Sequence, residues 1–116
     1  MKRLRLCIFL SSFIALGLIV YAHPPTDISI TYDVKNKTLE AVIAHPVSNP
    51  QAHFINKVNI LLNGQVIIEH RISRQDNNTK QTVIYVIPDA GDGSVLTVEA
   101  YCSISGKLKK EVKITE

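Results

Sequence analysis

Apolar and polar residues alternate along most of the chain, and a period of two marks a strand with one buried face. Ile28, Ile30, Tyr32 and Val34 alternate with Asp27, Ser29, Thr31 and Asp33, which predicts a first strand. Thr38 to Ala44 (TLEAVIA) predicts the second, reached through the turn formers Lys35-Asn36-Lys37. Phe54 to Leu62 and Gln65 to Ser73 flank Asn63-Gly64. That pair readily takes the positive φ angles of a two-residue hairpin turn, so the two runs read as a hairpin. Arg74 to Lys80 (RQDNNTK) is a polar loop, and Gln81 to Ile87 is a β-branched strand closed by Pro88. After the Gly91-Asp92-Gly93 turn, Ser94 to Cys102 sets Leu96, Val98, Ala100 and Cys102 on one face and Thr97, Glu99 and Tyr101 on the other. Lys107 to Thr115 follows Ser105-Gly106 as the last strand, its lysines spaced as on a solvent-facing edge. No helical period or long repeat interrupts this series. The fold expected is an all-β, seven-stranded, immunoglobulin-like antiparallel sandwich, in which two sheets bury each other's apolar faces.

The first 22 residues read differently. A basic MKRLR precedes an uncharged run from Leu6 to Ala22 that ends Val20-Tyr21-Ala22, the build of a secretory signal helix cleaved before His23. An uncleaved membrane anchor is the alternative, since the run approaches the roughly 20 residues a spanning helix needs. Residues 23–116 then form one domain in a periplasmic or secreted protein. Of the 13 Lys and Arg, Lys2, Arg3 and Arg5 belong to the leader, so the domain carries as many basic as acidic residues. Nucleic-acid binding thereby loses its compositional support.

Export makes the cysteine count informative. With Cys7 in the leader, Cys102 is the domain's only thiol and has no disulfide partner within it. It is an inert core residue, an intermolecular bridge or a ligand. His45 stands at the exit of the second strand and His53 at the entry of the third, joined by the proline-bearing loop Pro46 to Ala52 (PVSNPQA). His23 precedes the first strand. Three imidazoles at strand termini and a strand-end thiol together suit iron, copper or zinc. His70 sits mid-strand on a face with Val66, Ile68 and Ile72, where a hydrogen-bonded structural histidine is expected. Phosphate loops, nucleophile elbows and suitably spaced paired carboxylates are all missing from the sequence.

Two segments carry a family resemblance. AHPVSNPQAHFINKVNILLNG resembles the histidine-bearing loop and following strand of superoxide reductases and of the iron domain of desulfoferrodoxins. VEAYCSISGKLKKEVKI resembles that family's closing hairpin, with its Ala-Tyr-Cys turn. The resemblance runs from His23 to Ile114 and implies a mononuclear non-haem iron with His45, His53, Cys102 and the early His23 as ligands. It further implies reduction of superoxide, or another small oxidant, with electrons from an external donor. Where the family has its fourth histidine this chain has Ser105, and where the family has asparagine after the cysteine it has Ser103. A copper or iron carrier without turnover, and a metal-free binding module, are the alternatives on the same fold. Membrane contact would come only through an uncleaved leader, and an oligomer is compatible with the pattern.

Overall fold

The computed structural model describes residues 23–116; the expected leader, 1–22, lies outside the described residues. Seven strands follow one another: β1 (Asp27–Asp33), β2 (Thr38–Ala44), β3 (Ile55–Leu62), β4 (Gln65–Arg71), β5 (Lys80–Val86), β6 (Val95–Cys102) and β7 (Lys107–Lys113). Each lies within two residues of a run that the alternation marks. No helix occurs among the described residues.

The strands form two antiparallel sheets, one ordered β1-β2-β5 and the other β4-β3-β6-β7. Their inward residues make one shared core. Ile28, Leu39, Ala41, Ile43 and Val83 come from the first sheet, and Ile55, Val58, Ile60, Leu96, Val98 and Ala100 from the second. All but Val83 are fully buried. Burial of this apolar surface on both sides is what holds two sheets that could not persist singly. The lysine-rich β7 takes an outer position, as its sequence requires, and so does β4.

Turn chemistry sets the register. Asn63 and Gly64 have φ of 50° and 88°, and β3 and β4 join across them with Leu62 opposite Gln65. Two local departures from alternation matter. In β4, Ile60 pairs with Ile68 and Leu61 with Val66, leaving Ile67 as an unmatched bulge residue. The bulge carries Val66 to the outer face, 55% exposed, so it does not share a face with Ile68 and His70 as strict alternation predicts. His70 is itself exposed, and its Nδ1 shares a 2.8 Å hydrogen bond with the Tyr85 hydroxyl. In β3, Ile55 pairs with Cys102 and Lys57 with Tyr101, so Asn56 is the extra residue. This second bulge lets Ile55 and Val58 both turn inward.

Topology decides which strand ends meet. Asp27 pairs with Ala44, Lys80 with Ala44 from the other side, and Ile55 with Cys102. The start of β1, the end of β2, the start of β3 and the end of β6 therefore lie at one end of the molecule, together with the loops that leave them.

Candidate metal centre

Four chain segments build this end. The first is the arm before β1. Thr26 N–H donates to Ala44 O at 2.8 Å, and Pro24 lies over the β6–β7 turn, so close to Gly106 that a Cβ there would stand 2.9 Å from the Pro24 Cβ. Gly106 has a φ of 85°, which glycine takes without cost. The bare turn and the proline arm together place His23.

The second and third segments are the loops following β2 and β4, which are laced to each other. His45 N–H donates to Thr79 O, Val47 N–H to Asn78 O and Gln75 N–H to Pro50 O, at 2.8 to 3.1 Å. Asn49 caps its own turn through Gln51 N–H, Ala52 N–H and His53 N–H. A loop with two prolines and these anchors is rigid, and it delivers His45 at its start and His53 at its end. The fourth segment is the end of β6. Ser103 N–H donates to Phe54 O, and Phe54 N–H donates to Ser103 Oγ, fixing Cys102 beside His53.

The result is a cluster of His23, His45 and His53. One nitrogen from each lies within 4.8 Å of the others, close enough for the three to bind a metal ion. Ring centroids are 4.8 to 5.2 Å apart. His45 is fully buried, and the other two rings are partly exposed. Cys102, 8% exposed, stands outside this group of three and adjoins only His53: its Sγ lies 3.1 Å from His53 Nε2 and accepts from Ile104 N–H at 3.4 Å. A nitrogen at about 2.1 Å and a sulfur at about 2.3 Å from one ion, at a right angle, stand about 3.1 Å apart. The His53–Cys102 pair already has that spacing. Two nitrogens on one ion stand about 4.2 Å apart only when opposite and about 3.0–3.4 Å otherwise, so imidazole nitrogens separated by up to 4.8 Å must draw inward to share one.

Ser105, at the position of the fourth family histidine, is exposed on the β6–β7 turn. Ser103 uses its hydroxyl on the backbone of Phe54. Sequence reading passes over one buried side chain here, Gln75, which lies in a segment that reads as a plain polar loop. Only the lacing of the two loops buries it, so no local pattern signals it.

The proton count at the cluster is short. His23 Nδ1 and Nε2 each lie 2.9 Å from a carbonyl oxygen, of Pro24 and Pro46. His45 Nδ1 lies 2.8 Å from Gln75 Oε1, and its Nε2 lies 3.2 Å from His23 O. Four ring nitrogens thus face four oxygen acceptors, while two neutral imidazoles supply two protons. Added protons would put two like charges with ring centroids 5.0 Å apart.

Burial first, and then the charges of His45 and His23, hold the His53 imidazole below its ordinary value of 6.5. The unfolded chain therefore takes up this proton at higher pH than the folded one. Stability from His53 is complete above about pH 6.5 and is lost as pH falls through that value toward the lower folded pKa. Denaturation of the metal-free protein should show a midpoint that drops on acidification across this window, with a shallower drop in His53→Gln. Parallel curves for the two proteins would contradict the assignment.

No known protein-family model matches this chain, and neither does any curated protein.

Proposed function

We propose that this chain is an exported, mononuclear iron protein of the superoxide reductase type, with the metal held by His23, His45, His53 and Cys102. The observation carrying this reading is the meeting of three imidazoles with one thiol beside the third of them. Three nitrogens and a sulfur form a donor set that ferrous and ferric iron accept. The order of the sheets, β1-β2-β5 over β4-β3-β6-β7, supports an immunoglobulin-like sandwich as the scaffold. When bound, iron in its ferrous state would supply one electron to superoxide, which with two protons leaves as hydrogen peroxide, an external donor then restoring the ferrous state.

The chain's own part is to hold the donors and shape access. The laced loops fix His45 and His53 before any ion arrives, which lowers the ordering cost of binding. The Ile104 N–H points at Cys102 Sγ from 3.4 Å and helps hold the sulfur in place beside His53. The exposed Ser105 leaves the side where the family has its fourth histidine without an imidazole, open to solvent and to a small anion.

That same three-imidazole, one-sulfur set favours a second reading, a copper-binding or carrier domain, because copper binds nitrogen donors most strongly among the divalent first-row metals. Loading the protein anaerobically with ferrous iron and then oxidising it separates the two. The expected result is a visible sulfur-to-iron charge-transfer band that Cys102→Ser abolishes, together with superoxide consumption that releases peroxide and no dioxygen. Copper retained on cupric loading, with no iron retained, would favour the carrier. Retention of neither metal would sink both readings.

A further inference from the structure

We infer that Gln75 is a positioning residue that selects which nitrogen of His45 faces the metal. This rests on the metal reading above. Gln75 and His45 are both fully buried, so neither exchanges its partners with water.

Three backbone groups fix the orientation of the Gln75 amide. Its Nε2 donates to His45 O at 2.9 Å and to Asn77 O at 3.0 Å. Its Oε1 accepts from Ile55 N–H at 3.1 Å. Reversing the amide would set its oxygen against two carbonyls and its NH2 against an N–H, losing three hydrogen bonds in a buried place. Oε1 must therefore be the atom 2.8 Å from His45 Nδ1. An oxygen with only lone pairs to offer requires that Nδ1 carry the proton. The neutral ring then keeps its lone pair on Nε2, which lies 3.2 Å from the His23 carbonyl oxygen, so the arm carrying that carbonyl must give way for an ion to reach Nε2.

Each step has its source in the fold. The Asn56 bulge in β3 marks the strand entry where Ile55 N–H turns to Oε1, and the lacing of the two loops carries Gln75 beneath His45. A metal-binding histidine commonly donates its second N–H to an oxygen that fixes its tautomer, and losing such a partner costs about 10–100-fold in metal affinity. Gln75 supplies that oxygen and also ties down the His45 carbonyl, so it holds the ring and its backbone with one side chain.

The test uses the full chain labelled with 15N in histidine and read without metal. Long-range proton–nitrogen correlations should report His45 as the Nδ1–H tautomer. In Gln75→Met the ring should leave that tautomer, and affinity for zinc alone should fall about 10–100-fold. Gln75→Glu keeps an acceptor at the same reach, so it should retain the tautomer at reduced stability, and it serves as the deciding variant if Gln75→Met does not fold. Asp33→Ala loosens the β1–β2 turn at the opposite end of the molecule, where the Asp33 side chain accepts from Lys35 and Asn36 N–H. It should leave the tautomer and the zinc affinity near those of the parent protein. An unchanged tautomer in a folded Gln75→Met, its loss in Gln75→Glu, or an equal loss of zinc affinity in Asp33→Ala would overturn the role of Gln75. Failure of the parent protein to bind zinc, iron or copper, with the Nδ1–H tautomer present and sensitive to Gln75→Met, would instead overturn the metal reading.

Discussion

His53→Ala should weaken metal binding more than about 100-fold and leave the two sheets folded. His53 touches both halves of the centre, packing its ring 4.8 Å from His45 and 5.2 Å from His23 by centroid and placing Nε2 3.1 Å from Cys102 Sγ. Removing it deletes a donor and separates the sulfur from the remaining imidazoles. Loss of an outer partner costs about 10–100-fold, so loss of this shared ligand should exceed about 100-fold. The fold survives because the surrounding backbone does not depend on the ring. Phe54 and Ser103 keep their reciprocal hydrogen bonds, and Ile55 stays paired with Cys102. The metal-free variant should lie within about 1 kcal/mol of the parent in denaturant titrations. Calorimetric titration with ferrous iron and zinc reads the affinity. Binding within a few-fold of the parent would show that the ions sit elsewhere.

A second large effect comes from a residue with no donor atom. Gly106→Ala should both destabilise the protein and weaken its metal binding, whereas Gly64→Ala should only destabilise it. Both glycines have positive φ, 85° and 88°, a region that costs an L residue about 1–2 kcal/mol. Beyond that shared cost their surroundings differ. Nothing lies within 4 Å of a Cβ at Gly64, but at Gly106 it would stand 2.9 Å from the Pro24 Cβ and 3.3 Å from the Pro24 Cα. A backbone atom cannot rotate away, so the arm must move and take His23 with it. The predicted result is a comparable loss of stability from backbone conformation in both, with at least about a tenfold loss of zinc affinity, 1.4 kcal/mol, in Gly106→Ala alone. Equal affinities in the two variants would show that the Pro24 contact does not place His23.

Much of this architecture is legible in the order of residues. The strands are local events, each written as a short alternating run between turn formers, and Asn63-Gly64 names its own hairpin. Cys102 is read correctly as an inward residue because β6 keeps strict alternation from Leu96 onward. Alternation fails where the pairing slips. Neither the Ile67 bulge, which turns Val66 outward, nor the Asn56 bulge, which lets Ile55 and Val58 both face inward, has a local signal. Each exists to reconcile two paired strands.

The candidate centre divides along the same line. His45 and His53 are read together because one short proline-bearing loop joins them. The nearness of His23 depends on β1 lying antiparallel beside β2, which pattern alone does not supply. Gln75 is illegible in sequence, since an amide in a polar loop looks the same whether water or a histidine receives it. The leader and the identity of the ion lie beyond the described geometry and rest on the reading of residues 1–22 and on the donor set.

The first and last members of the donor set, at residues 23 and 102, come from opposite extremities of the domain. An ion gripping both would act as a reversible staple that closes the 80 residues from His23 to Cys102 into a ring, much as a disulfide restricts an unfolded chain. Resistance to heat and to proteases would then rise with free ion concentration. The segment to loosen first on chelation would be the short proline arm, tethered otherwise by its packing on a glycine, its pairing at Thr26 and the His23 contacts with Pro46 O and the His45 ring.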